Sequence, residues 1–377
     1  MNNIEVSVVI PCLNEEKSIG LCVNKIKEVF SAQNISGEII VVDNGSTDRS
    51  AQIAADGGAK VVNEPVKGYG SAYITGLKNA VGQYIIMADG DNTYDFGEIP
   101  AFLEILKGGK EMVMGSRFKG KIHRGAMPWL NRYVGNPVLS GLCRLFFGTQ
   151  LSDIHCGMRA MSREGYKKLN LQCLGMEFAT EMVMEALQRR LNVGEVAIQY
   201  YPREGDSKLR PFEDGWRHLR FMLLFCPTWL YLLPGAAMLI VGLLAMLVLV
   251  GGPVRFLGRT WGMHVMIFGS LLSLVGYQVI NLGVYARTFA VKQDYLKKDR
   301  PMSFILNNFH LETGIIIGLV VFSTGLAINV GIFWEWWSNS FGSLYRIRES
   351  ILAMTLMVLG MQTFFSSFFI SLLLIKR

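Results

Sequence analysis

Four stretches in the second half of the chain constrain everything else. Residues 228–250, 263–285, 313–333 and 351–375 are strongly apolar and contain no Lys, Arg, Asp or Glu. A helix of about 20 residues crosses a bilayer core of ~30 Å, and each run is long enough to do so. Buried helices of a soluble protein rarely supply four such runs in succession, so an α-helical membrane domain of four spans is expected over residues 227–377. The formal net charge of +7 on 377 residues is unevenly placed. Residues 1–220 carry 26 Lys and Arg against 25 Asp and Glu, whereas residues 221–377 carry 11 against 5. The first part therefore has the charge density of a soluble domain, expected over residues 1–210. Residues 211–226, where Arg217, His218 and Arg220 stand among apolar residues, read as an interfacial helix between the two.

The loops set the orientation. Arg287, Lys292, Lys297, Lys298 and Arg300 lie between the second and third runs, while the flanking loops hold only Arg255 with Arg259 and Arg346 with Arg348. Positive charge is retained on the cytoplasmic side, which places the middle loop, both termini and the soluble domain there. No basic segment leading into a short apolar one opens the chain, so a signal peptide is not expected. Six cysteines without a Cys-x-x-Cys pair fit reduced, buried side chains. His264, Gln278 and Asn281 stand within the second run, either as functional positions or as interhelical hydrogen-bonding groups.

The soluble domain alternates strands and helices. Residues 6–10, 38–42, 60–63 and 84–88 are short β-branched or apolar runs, with helical segments expected at 14–30, 49–56 and 72–81. That alternation implies a mostly parallel α/β sheet, in which ligands bind beyond the carboxyl ends of the strands. Residues 11–15, 43–48 and 89–91 all fall there. Asp89-Gly90-Asp91 places two carboxylates one residue apart after an apolar strand, with glycine allowing close approach, an arrangement suited to a hard divalent cation beside a diphosphate. Gly68-Tyr69-Gly70 lacks the third glycine of a dinucleotide fingerprint, since Tyr73 stands in its place, and it does not follow the first strand.

Taken in order, Pro11-x-x-Asn14-Glu15, Asp43-Asn44-Gly45-Ser46-Thr47-Asp48, Asp89-x-Asp91 and Gly115-Ser116-Arg117-Phe118 resemble family 2 glycosyltransferases. Within that family, Asp153-x-x-Cys156-Gly157-Met158-Arg159-Ala160 and the apolar tail are similar to the dolichol- and polyprenyl-phosphate sugar transferases, the dolichyl-phosphate mannose or glucose synthase type. Met158 stands where a phenylalanine is usual. The resemblance implies a GT-A (Rossmann-like) catalytic domain, a nucleotide-sugar donor of the UDP-glucose or GDP-mannose class, and inversion at the anomeric carbon. By position, Pro11, Asn14, Glu15 and Asp43 would line the nucleoside pocket, and Asp89 and Asp91 would hold Mg²⁺ or Mn²⁺ on the diphosphate. Residues 203–208 resemble the loop that closes on the donor, from which Arg203 with Ser207 or Lys208 would neutralise phosphate.

Between Arg117 and Arg144 the chain carries six basic residues and no acidic one, with Trp129, Leu130 and Tyr133 interleaved. In a domain tethered to a bilayer such a patch suits lipid headgroups rather than nucleic acid. The resemblance places the acceptor phosphate near here, with Arg117, Arg132 and Asn136 as ligands. The Gln-x-x-Arg-Trp motif of processive synthases is absent, since Trp216-Arg217 has the opposite order. The expected activity is thus transfer of one sugar to a polyprenyl or dolichyl phosphate. A glycan-extending synthase and a non-catalytic nucleotide-sugar binder are the alternatives, and self-association is left open.

Overall fold

The computed structural model describes residues 4–204, 211–292 and 310–375. The chain divides into two compact units, Met1–Met222 and Leu223–Arg377.

In the first unit the β-branched runs form β1 (Val6–Cys12), β2 (Gly37–Asp43), β3 (Lys60–Asn63) and β4 (Tyr84–Met87), all paired in parallel. Val8, Val9 and Ile10 of β1 and Ile40, Val41 and Val42 of β2 are fully buried. Strands covered on both faces need such continuous apolar runs rather than alternation. The covering helices are α1 (Ile19–Ala32), α2 (Ser50–Asp56) and α3 (Tyr69–Asn79). Burial of Ile19, Cys22, Val23 and Ile26 gives α1 a single apolar stripe at helical spacing.

The first helix begins later than the sequence implies. Residues 14–16 form a turn instead, because their backbone N–H groups are taken by side chains of the next loop. Asn14 donates to Ser46 Oγ at 3.0 Å, Glu15 to Ser50 Oγ at 2.8 Å and Glu16 to Asp48 Oδ2 at 3.2 Å. Asn14 itself has φ of 52°, a left-handed conformation that Asn tolerates better than most residues.

Beyond β4 the chain adds α4 (Ile99–Lys107), β5 (Met112–Ile122), α5 (Asn136–Phe147), β6 (Arg159–Ser162), α6 (Arg163–Lys167), α7 (Phe178–Gln188), β7 (Val193–Tyr200) and α8 (Pro211–Leu224). The seven strands run in the order β3-β2-β1-β4-β6-β5-β7, with β6 antiparallel to both its neighbours. This is the mostly parallel GT-A arrangement expected from the sequence. Register aligns Cys12 with Asp43 and Asp43 with Asn63, so β1, β2 and β3 end together at one edge of the sheet.

The second unit holds four helices long and apolar enough to cross a membrane: Thr228–Leu249, Met263–Lys292, Leu311–Ser338 and Ile347–Leu374. The first comprises a π-turn followed by α9 (Leu233–Leu249), and the others are α10, α11 and α12. A hairpin of β8 (Val254–Phe256) and β9 (Arg259–Trp261) joins the first two. Glycines let the backbones touch. A Cβ on Gly242 would stand 2.4 Å from Gly269 O, and one on Gly318 would stand 2.8 Å from Gly360 O. Hydroxyls join α10 to α12, Ser270 to Thr355 at 2.7 Å and Tyr277 to Thr363 at 2.6 Å. Close small-residue contact and interhelical hydrogen bonds are what hold helices together where lipid offers no hydrophobic drive. Of the polar residues noted in the second run, His264 and Gln278 are exposed on this unit.

Candidate functional site

The loops leaving β1, β2 and β4 meet at the carboxyl edge of the sheet. Thr47 donates to Asn14 Oδ1 from its backbone N–H at 2.7 Å, and Asp43 Oδ1 accepts from the Ser46 N–H at 3.2 Å. Asn44 clamps the loop that enters α3. Its amide donates to the carbonyls of Glu64 and Val66 at 3.0 and 2.8 Å and accepts from the Gly68 N–H at 2.8 Å. Pro11 lies within β1 opposite Val42. Pro11, Asn14, Glu15 and Asp43 are thereby brought to one rim.

Asp89 and Asp91 follow β4 at the same rim. Asp91 is buried, and its Oδ1 accepts from the Thr93 hydroxyl at 2.6 Å and the Thr93 N–H at 3.2 Å. Asp89 Oδ1 accepts from the hydroxyls of Tyr69 at 3.0 Å and Tyr73 at 3.3 Å. Burial, and then the negative charge of Asp91, push the Asp89 carboxyl up to about 6. A carboxyl raised by burial and by a neighbouring carboxylate in this way is relieved by a hard divalent cation, which oxygen ligands suit. Among the described residues no cluster of three or more His, Cys, Asp or Glu side chains could hold a metal.

Arg203 lies across these acids. Its Nη2 is 2.5 Å from Glu15 Oε1 and its Nη1 is 3.6 Å from Asp91 Oδ2. Its Nε is buried without a hydrogen-bond partner among the described residues. The next residue, Glu204, donates its N–H to the Asp91 carbonyl at 3.4 Å and accepts from the Asn92 amide at 3.0 Å. Ser207 and Lys208 lie outside the described residues.

The Asp153–Ala160 motif closes the far side of Asp89. Fully buried Arg159 donates to the carbonyls of Cys156 at 2.8 Å, Ile154 at 3.1 Å and Ala179 at 2.6 Å, which ties the turn to α7. Gly157 is set against the Asp89 carboxylate, where a Cβ would fall 2.4 Å from Oδ2, and its N–H donates to the Tyr94 hydroxyl at 2.7 Å. Glu181 accepts the backbone N–H groups of Gln172 at 3.0 Å and Cys173 at 2.9 Å.

Arg117 forms a buried ion pair. Its Nε and Nη2 meet Asp153 Oδ2 and Oδ1 at 2.6 and 2.8 Å, and its guanidinium stands 5.2 Å over the Tyr200 ring. Burial alone would lower the guanidinium pKa, but the Asp153 carboxylate more than reverses this and holds it well above the usual value. Lys119 is likewise paired, with Glu195 at 2.5 Å. Lys121, Arg124, Arg132 and Arg144 form no ion pair among the described residues. Arg132 stands 5.4 Å over the Tyr133 ring and shares the turn-plus-helix 131–147 with Asn136, whose amide reaches Met127 Sδ at 3.5 Å. Around them Trp129, Tyr133, Val138 and Leu145 are exposed.

Comparison with known proteins accounts for both units. Glycosyl transferase family 2 matches residues 7–169, and the Glycosyltransferase family 2 C-terminal transmembrane region matches residues 284–374. The low-salt glycan biosynthesis hexosyltransferase Agl6 of Haloferax volcanii is 40% identical over 365 residues, covering 96% of this chain and 87% of that one. The chain belongs to glycosyltransferase family 2. A second relative of this family 2 enzyme, the dolichyl-phosphate hexose transferase of Haloferax volcanii, is 32% identical over 214 residues, 56% of this chain and 89% of the other. Glucosyl-3-phosphoglycerate synthase from Mycobacterium tuberculosis aligns in three dimensions at 24% identity and a TM-score of 0.48, over 59% of this chain and 80% of that chain. The family 2 enzyme is a glycosyltransferase whose second unit matches the family's transmembrane region.

Proposed function

We propose that the enzyme transfers a single sugar, with inversion, from a UDP-glucose or GDP-mannose class donor to a polyprenyl or dolichyl phosphate at the cytoplasmic membrane face. The observation that carries this reading is the meeting of Glu15, Asp89, Asp91 and Arg203 at the strand ends, in a chain that also carries four helices fit to span a bilayer. Pro11, Asn14, Glu15 and Asp43 line the nucleoside end, and Arg203 and Lys208 meet the phosphates. Asp89 and Asp91 would hold Mg²⁺ or Mn²⁺, which when bound supplies Lewis-acid stabilisation of the leaving diphosphate. The basic groups from Lys121 to Arg144, which form no ion pair among the described residues, suit with exposed Trp129 and Tyr133 an anionic lipid headgroup. Arg132 and Asn136 bind the acceptor phosphate there, and Arg117 shapes that region through Asp153. An acceptor phosphate is anionic at neutral pH, so attack at the anomeric carbon needs no strong general base. Holding donor and lipid at one interface supplies proximity.

The test is a panel of labelled UDP- and GDP-sugars with polyprenyl phosphate in membranes, with and without Mn²⁺. A lipid-linked monosaccharide, lost in Asp91→Ala while membrane insertion persists, is expected. Polymer as product would favour the glycan-extending reading, and full activity of Asp91→Ala would overturn the metal assignment.

A further inference from the structure

We propose that Tyr69 and Tyr73 are positioning residues for the donor site, holding Asp89 by one carboxylate oxygen so that only the other is left for the donor complex. The inference rests on the donor-site reading above. The two tyrosines stand four residues apart on α3 and hence on one face of the helix. Both hydroxyls donate to the same atom, Asp89 Oδ1, at 3.0 and 3.3 Å. An ionised carboxylate offers about two lone pairs on each oxygen, and the two phenols take both on Oδ1.

Packing fixes the phenols themselves. The Tyr73 ring is fully buried and stacked on Phe178 of α7, with centroids 5.5 Å apart and planes 5° apart. Tyr69 meets Tyr73 edge-on at 4.9 Å and Phe178 at 6.4 Å. The second oxygen, Oδ2, lies against Gly157, where any Cβ would intrude to 2.4 Å. Two phenols on one side and a bare glycine on the other leave the carboxylate a single orientation. Asp91 is held differently, through Thr93 on Oδ1, with Oδ2 turned toward Arg203. Each aspartate therefore has one oxygen hydrogen-bonded within the protein, and the other faces Gly157 in Asp89 and Arg203 in Asp91.

The experiment uses the full chain purified in detergent, as Tyr69→Phe, Tyr73→Phe and the double variant. Phenylalanine keeps the rings and their stacking and removes only the hydroxyls, so a packing role predicts no change. Mn²⁺ alone, then Mn²⁺ with UDP or GDP, is titrated with free Mn²⁺ read by electron paramagnetic resonance. Donor KM and kcat are measured in parallel. Loss of a hydrogen bond to a charged group predicts roughly tenfold weaker Mn²⁺ binding and a matching rise in KM for the double variant, with kcat within about twofold of the parent. A double variant that binds Mn²⁺ as the parent does, while Asp91→Ala does not, overturns the positioning role alone. Parent-like Mn²⁺ binding by Asp91→Ala overturns the donor-site reading and this inference with it.

Discussion

Removing the Asp153 carboxylate would strand a buried cation. Arg117 and Asp153 have side chains 8% and 0% exposed, and three hydrogen bonds join them, at 2.6, 2.8 and 3.2 Å. Deleting one partner of such a pair costs about 3–5 kcal/mol, because the remaining charge can neither reach water nor find a substitute. Set against a typical domain stability of about 5–15 kcal/mol, Asp153→Ala should lower the apparent melting temperature by roughly 6–20 °C, at ~2–4 °C per kcal/mol for a domain of this size. Thermal unfolding of the purified chain in detergent measures this. Replacing both partners by apolar residues, Arg117→Met with Asp153→Leu, should recover most of the loss, since no orphan charge remains. Were Arg117 chiefly a phosphate ligand, Asp153→Ala would merely free it and leave stability unmoved. A single variant within about 1 kcal/mol of the parent, or a double variant no more stable than the single, would refute the reasoning.

Gly157→Ala should push the Asp89 carboxylate out of place and raise donor KM at least tenfold, the order of one lost charge-assisted contact, as steady-state kinetics would show. Asp89 titrates near 3.8 when unfolded and at about 6 when folded, so its protonation favours the fold. Its contribution is fully present below about pH 4 and is lost as pH rises through 6, about 3 kcal/mol. Denaturant unfolding of the ligand-free protein should therefore show Asp89→Asn more stable than the parent at pH 7, with the difference vanishing by about pH 4. In the membrane unit, Gly360→Leu would drive a side chain into the Phe322 backbone, whose N lies 2.5 Å from where a Cβ would stand. The α11–α12 pair should separate, and the melting temperature in detergent should fall with catalytic-domain folding retained, as limited proteolysis would report.

The parallel half of the sheet was legible because each strand is a continuous β-branched run closed by an acidic or Asn turn. The other half was not. β5 includes Gly115, Arg117, Lys119, Gly120 and Lys121, which read as a basic surface segment, yet the strand accommodates them through a register shift between Ser116 and Lys121. At Gly120 a Cβ would fall 1.9 Å from Ile198 O, so glycine is needed where the strand meets β7. β6 is four residues long and begins with a buried arginine, the opposite of a strand signal. In the site, the acids were visible from their place after apolar runs, but their partners were not. Tyr73 appeared only as the residue that breaks a dinucleotide fingerprint. Its hydroxyl on Asp89 depends on how α3 packs over the sheet, a contact sixteen residues away in sequence. The four spans needed no tertiary information, since length and absence of charge define them.

The bridge from Arg203 to Glu15 and Asp91 has a thermodynamic corollary for any incoming polyanion. The pocket carries an internal counterion, so the ligand-free protein does not have to hold its acids bare. A donor that recruits the guanidinium must draw it from two carboxylates, and the carboxylates then require another cation. On the proposed reading, donor and divalent ion would be linked ligands, each favoured once the other has arrived, with the coupling set by one side chain that exchanges partners.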